Sequence, residues 1–248
     1  MNRFLKLIFT TGLMVLMGCA KQSATVQFPA LSDYLPLQTG RVLVYRLDSS
    51  LIPLDGSDLV VKSYHAKDSI ADTITDGMGR LTYRMYRFVT DTLETQPWQN
   101  IGTFLITANA QTVELLDDKN RRFVILTQPL RDGFTWPGNA YIDTKSATSP
   151  FQFMDGWRYQ YTQFNQPITL DDALLDSTIT VLQRDEISPP GPFEPQNYQQ
   201  RNYAVEIYAK GIGLVYKEFL HSTWQPTPPP AKYDNDSYGI KLSLIAIR

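Results

Sequence analysis

Asp76-Gly77-Met78-Gly79 followed by Arg80-Leu81-Thr82-Tyr83-Arg84-Met85-Tyr86-Arg87-Phe88 is the stretch that decides the fold. Its two glycines supply the positive backbone angles that a tight reversal needs. The nine residues after them alternate, with Arg80, Thr82, Arg84, Tyr86 and Phe88 opposing Leu81, Tyr83, Met85 and Arg87. Period-two patterning in a segment rich in aromatic and β-branched side chains predicts a strand with one wetter face. Asp58 to Thr75, on the other side of the turn, reads as one long strand or two shorter ones.

The same pattern extends outward in both directions. Arg41-Val42-Leu43-Val44-Tyr45-Arg46-Leu47-Asp48 runs into Asp48-Ser49-Ser50, as a strand entering a turn would. Downstream, Thr103 to Thr107, Thr112 to Leu116 and Arg121 to Leu126 are separated by Ala108-Asn109-Ala110 and Asp117-Asp118-Lys119-Asn120. Parallel neighbours need crossovers of a dozen or more residues, so connections this short predict antiparallel pairing. Further strands are predicted at Trp157 to Phe164, Ser177 to Arg184, Tyr203 to Lys210, Leu214 to Leu220 and Lys241 to Ile247. The one helix candidate is Thr169-Leu170-Asp171-Asp172-Ala173-Leu174-Leu175, with Thr169 as cap and aspartates in the first turn. The expected fold is mainly β: a single antiparallel curved sheet, as a meander, an open half-barrel or a barrel-like closure.

Proline-rich Ser188 to Pro195 and Gln225 to Pro230 interrupt this pattern. Proline is excluded from central strands, and the alternation resumes on both sides, so they read as stiff loops within one domain. As extended segments they also suit an aromatic groove on a partner.

The N-terminus has a different character. Arg3 and Lys6 precede an apolar run from Leu7 to Met17, broken by Thr10, Thr11 and Gly12. This is shorter than the roughly 20 residues a bilayer-crossing helix needs, and it reads as a targeting leader. Leu16-Met17-Gly18-Cys19 holds the only cysteine of the chain. It resembles the lipobox of bacterial lipoproteins, in which an aliphatic residue and a small residue precede a cysteine that is lipidated as the first mature residue. The resemblance implies a signal peptide at residues 1–18 and lipidation of Cys19; residues 19–30 then read as a lipidated tether, and the strand pattern assigns residues 31–248 to an antiparallel β domain. In that family an acidic residue or cluster after the cysteine redirects sorting. Ala20-Lys21-Gln22-Ser23 has none, so the expected location is the cell envelope, at the periplasmic face of the outer membrane. Tyr34 to Gly40 leading into Val42 to Tyr45, and Tyr208 to Glu218, also resemble segments of Bacteroidetes lipoproteins. That resemblance is structural and implies no chemistry.

Composition and spacing exclude several function classes. A net charge of −2 without a lysine or arginine run argues against nucleic acid. With its sole cysteine committed to lipid, the mature chain has no thiol for a disulfide, a nucleophile or a metal. His65 and His221 form no metal-ligand spacing. Asp234-Asn235-Asp236-Ser237-Tyr238-Gly239 starts like a calcium loop, but Tyr238 and Ile245 stand where oxygen ligands belong, so it reads as a polar turn. Asp171-Asp172 suits a helix start, and Asp185-Glu186 on a strand points to opposite faces, a poor arrangement for two acids acting on one bond. Gly211-Ile212-Gly213, between two strands, reads as a turn or bulge.

No catalytic residue and no cofactor is therefore indicated. Trp157, Tyr159 and Tyr161 lie on one side of a predicted strand, opposite Arg158, Gln160 and Thr162, and read as the core face of the sheet. Three roles follow in order: an accessory or structural envelope protein with a protein partner, a carrier of a lipid or other amphiphile in a β cleft, and an envelope hydrolase built around His221.

Overall fold

A computed structural model describes residues 29–53, 56–170 and 173–248. The leader, Cys19 and most of the tether, together with Asp171 and Asp172, lie outside the described residues. Within them the sheet has thirteen strands: β1 (Val42–Leu51), β2 (Val60–Thr75), β3 (Leu81–Thr90), β4 (Gln99–Ala108), β5 (Thr112–Leu116), β6 (Arg122–Thr127), β7 (Thr135–Trp136), β8 (Tyr159–Leu170), β9 (Ala173–Ser188), β10 (Gln199–Ala209), β11 (Gly213–Gln225), β12 (Lys232–Tyr233) and β13 (Tyr238–Ile247). A four-residue helix, α1 (Leu31–Tyr34), precedes them.

Every pairing is antiparallel, in the order β6-β5-β4-β3-β2-β1-β13-β11-β10-β9-β8-β7, with β12 beside β11. Two meanders are thus joined through β13, which returns from the C-terminus to lie between β1 and β11. Asp58 to Thr75 yields one continuous strand from Val60, and Asp76 to Gly79 forms the expected reversal into β3. Gly211-Ile212-Gly213 is the β10–β11 turn.

The helix predicted at Thr169 to Leu175 is a correction. Thr169 and Leu170 end β8, Ala173 begins β9, and Thr169 pairs with Leu174 across the hairpin. Local capping chemistry in a short segment yields here to the pairing of two long strands.

The sheet curls until its two edges nearly meet, giving a barrel-like fold. Val124 N–H on β6 donates to the carbonyl of Gly138 at 2.8 Å, and Trp136 Nε1 donates to the Val124 carbonyl at 2.8 Å. Tyr161 Oη on β8 donates to the Thr127 carbonyl at 2.8 Å and accepts from the Thr127 N–H at 2.9 Å. These bonds satisfy edge groups that an open sheet would present to solvent or to another chain.

Next to this seam sits the larger core cluster. Trp136, Trp157, Tyr159, Tyr161, Leu126, Ile179 and Val181 are all buried in it, so the aromatic stripe is a core face. A smaller cluster of Tyr45, Leu47, Ala66 and Leu242 lines the β1-β2-β13 wall.

Candidate functional site

The two clusters leave a polar layer between them, inside the barrel. Alternation carries Asp68 inward on β2 between buried Ala66 and Ile70, Arg87 inward on β3, Glu206 inward on β10 between Ala204 and Tyr208, and Lys217 inward on β11. Arg87 binds Asp68 bidentately, with Nε–Oδ1 and Nη2–Oδ2 both 2.6 Å. Lys217 Nζ lies 2.7 Å from Glu206 Oε1, while Tyr208 Oη donates to Glu206 Oε2 at 2.6 Å. Buried charges persist when paired and hydrogen-bonded in this way. Burial, then the nearby Glu206 carboxylate, holds the Tyr208 phenol well above its ordinary pKa, so it stays a donor. Tyr45 is pushed up in the same sense by burial and by Asp68, and its hydroxyl donates to the Leu214 carbonyl at 2.9 Å.

Two cavities meet this layer, and both touch Arg87, Phe104, Leu115, Ile125, Glu206 and Lys217. The first, of about 100 Å³, lies toward α1 and has Leu35, Leu37, Leu43, Ile70 and Leu214 in its apolar wall, with Arg41 also lining it. The second, of about 250 Å³, extends toward Asp117, Arg121, Met154, Phe219 and Tyr238. A mostly apolar enclosure with a few convergent polar groups is the usual form of a small-molecule site.

Short-range chemistry pins α1 over this end. Asp33 Oδ2 accepts from the Ala30 N–H at 3.2 Å, its carbonyl accepts from Gly211 N–H at 2.7 Å, and Tyr34 Oη and Ser177 Oγ lie 3.1 Å apart. Leu31 and Tyr34 are buried beneath.

Sequence reasoning passed over the inward charges. Their signal is a charged residue on the apolar phase of a strand, as in Ala66-Lys67-Asp68-Ser69-Ile70 and Ala204-Val205-Glu206-Ile207-Tyr208. It becomes legible only once the phase of each strand is known.

The residues weighed from sequence are not brought together. His65 lies at the surface, 3.1 Å from Glu94. Asp185 pairs with Arg201, whereas Glu186 pairs with Arg184 and Asn202, so the two acids serve separate partners. Asp234 accepts from Gln225 within a turn. Among the described residues no cluster of three or more His, Cys, Asp and Glu side chains is placed to hold a metal ion.

His221, one residue past the strand predicted at Leu214 to Leu220, lies inside the observed one: β11 continues to Gln225, with Ser222, Thr223 and Trp224 paired to β10, and His221 is 1% exposed. The ring stacks on Phe153 at 3.7 Å, Nδ1 is 2.7 Å from Asn202 Oδ1, and Nε2 is 3.6 Å from Asp236 Oδ2 without a hydrogen bond. Among the described residues neither ring nitrogen is hydrogen-bonded to a serine.

Burial lowers the His221 pKa from its ordinary value, against an opposing pull from Asp236. An unfolded chain then takes up the proton first as pH falls below about 6.5. Stability is therefore unaffected above that pH, declines as pH drops toward the folded pKa, and levels off below it. Urea midpoints between about pH 7 and pH 5 should fall more steeply for the native chain than for His221→Gln, and parallel slopes would refute this.

Compared with known proteins, the chain matches no family model and no curated sequence. No helix among the described residues is long and apolar enough to cross a membrane.

Proposed function

We propose that the chain is a lipid-anchored envelope protein, tethered through Cys19, whose barrel holds a small amphiphile. The observation that carries this reading is the pair of interior cavities meeting at a buried charged layer. A barrel built only for rigidity fills its interior with side chains, whereas one that holds a ligand keeps room and polar anchors. The lipobox residues Leu16 to Cys19 support the anchor, and the absence of acidic residues in Ala20 to Ser23 supports the periplasmic face of the outer membrane.

An accessory role beside an envelope protein draws on a different observation. Leu51, Val60 and Val61 are exposed at the far end of the β1–β2 ribbon, where Leu51 pairs with Val60. Such a patch suits a protein partner.

One preparation tests the main reading. The native chain should fractionate with membranes and release a small amphiphile on denaturation in mass spectra. Cys19→Ala should move to the soluble fraction with its fold intact. A variant that stays in the membrane pellet would remove the anchor, and native protein that neither carries nor takes up an amphiphile would remove the carrier.

A further inference from the structure

Resting on the barrel reading above, we propose that the α1 end of the barrel is an anion site, and that its amphiphile is a monocarboxylate. Its carboxylate meets Arg41, and its hydrocarbon fills the 100 Å³ chamber and continues toward the 250 Å³ cavity, which shares Phe104, Leu115 and Ile125 with it.

Charge balance points to the sign. Arg41, Arg87 and Lys217 are the cations lining this chamber, and Asp68 and Glu206 are its anions. Arg87 is matched by Asp68 and Lys217 by Glu206, in the short contacts already described. Arg41 has no carboxylate partner among the described residues. Its Nη2 donates only to the carbonyls of Gly211 and Ile212, at 2.8 and 2.7 Å. The chamber thus carries one unmatched positive charge, which a monoanion neutralises and a dianion overcompensates.

Hydrogen bonding points to the same place. Arg41 Nε is buried and without an acceptor among the described residues. A buried donor in that state is costly, and a charge-assisted bond from an anionic oxygen would relieve it. Because Nη2 is already committed to two carbonyls, the arrangement favours one carboxylate oxygen at Nε over a fork-to-fork pair. Leu35, Leu37, Leu43, Ile70, Ile106 and Leu214 supply the remaining apolar wall, suited to a hydrocarbon tail.

Position supplies the access. Arg41 precedes β1 at the end that α1 covers, and the chain leaves toward Cys19 from the same end, where the Pro29 carbonyl accepts from Gln128 Nε2 at 3.0 Å. At about 3.6 Å per residue, the ten residue steps from Cys19 to Pro29 span at most ~36 Å. In the anchored protein the mouth therefore stays close to a membrane surface, where single-chain carboxylates partition.

Equilibrium binding of radiolabelled decanoate and decanol to immobilised full-length protein tests this. Decanoate should bind saturably at one site, at least tenfold tighter than decanol. Arg41→Met should lose at least tenfold for decanoate while keeping its decanol affinity, which also reports an intact fold, and Arg41→Lys should retain most decanoate binding. Equal affinities for the two probes, or decanoate binding unchanged in Arg41→Met, would overturn the anion site and leave the barrel reading standing. Binding of neither probe would overturn both.

Discussion

Replacing Asp68 by alanine is expected to lower the unfolding free energy by about 3–5 kcal/mol, the usual cost of orphaning one partner of a buried ion pair. The side chains of Arg87 and Asp68 are 13% and 6% exposed, and their contact is bidentate at 2.6 Å. Without Asp68, the guanidinium keeps the face of Phe104, 5.1 Å from its ring centre, and the field of Asp118, with which it forms no ion pair. Glu206 already serves Lys217 and Tyr208 with its two oxygens and forms no ion pair with Arg87. The double variant Asp68→Leu with Arg87→Met should recover most of the loss, since replacing both charges by apolar groups removes the desolvation penalty together with the attraction. Urea unfolding of the two single variants and the double variant reads the coupling. A double variant as unstable as Asp68→Ala would mean that the pair matters for its shape in the barrel and not for its charge.

How far such residues were legible follows from the range of the interactions involved. Asp76 to Gly79 and Gly211 to Gly213 are local signals, and each places a hairpin where alternation and turn chemistry put it. Trp157, Tyr159 and Tyr161 were assigned to the core face by alternation alone, and all three are buried. Thr169 to Leu175 failed because its capping pattern covers seven residues, while the β8–β9 ladder reaches from Gln160 to Leu182 and decides the matter at long range. The pairing of β13 with β1 joins residues some two hundred apart, and no local pattern encodes it. Closure was equally hidden. An open half-barrel and a nearly closed one share the same strands, and they differ in a few seam bonds from Val124 and Thr127 to Gly138, Trp136 and Tyr161. The inward charges depend on that closure, because it turns an apolar face with four charged residues into an enclosed layer.

The seam itself should fail on a single methyl group. A Cβ at Gly138 would stand 2.1 to 2.5 Å from three ring atoms of Tyr159. That ring is 2% exposed, meets Trp136 edge-on at 5.9 Å, and also borders the 250 Å³ cavity. Turning the ring toward that cavity gives up its packing on Trp136, and otherwise the backbone around Gly138 must move, whose carbonyl accepts the Val124 N–H and whose neighbour Trp136 donates to the Val124 carbonyl. Overpacking costs about 1–3 kcal/mol or more, and each bond lost at the seam adds about 0.5–1.5 kcal/mol. Gly138→Ala is thus expected to cost about 3 kcal/mol or more, concentrated at the β6 edge. Hydrogen exchange separates this from a diffuse loss of stability: the Val124 and Thr127 amides should lose protection well before those of β10 and β11, which are paired on both sides. Trimming the obstacle with Tyr159→Leu in the same chain should restore part of the Val124 protection, because the added methyl then faces a smaller neighbour. Full protection at Val124 in Gly138→Ala would show that the barrel is held shut by its continuous ladder and not by this seam.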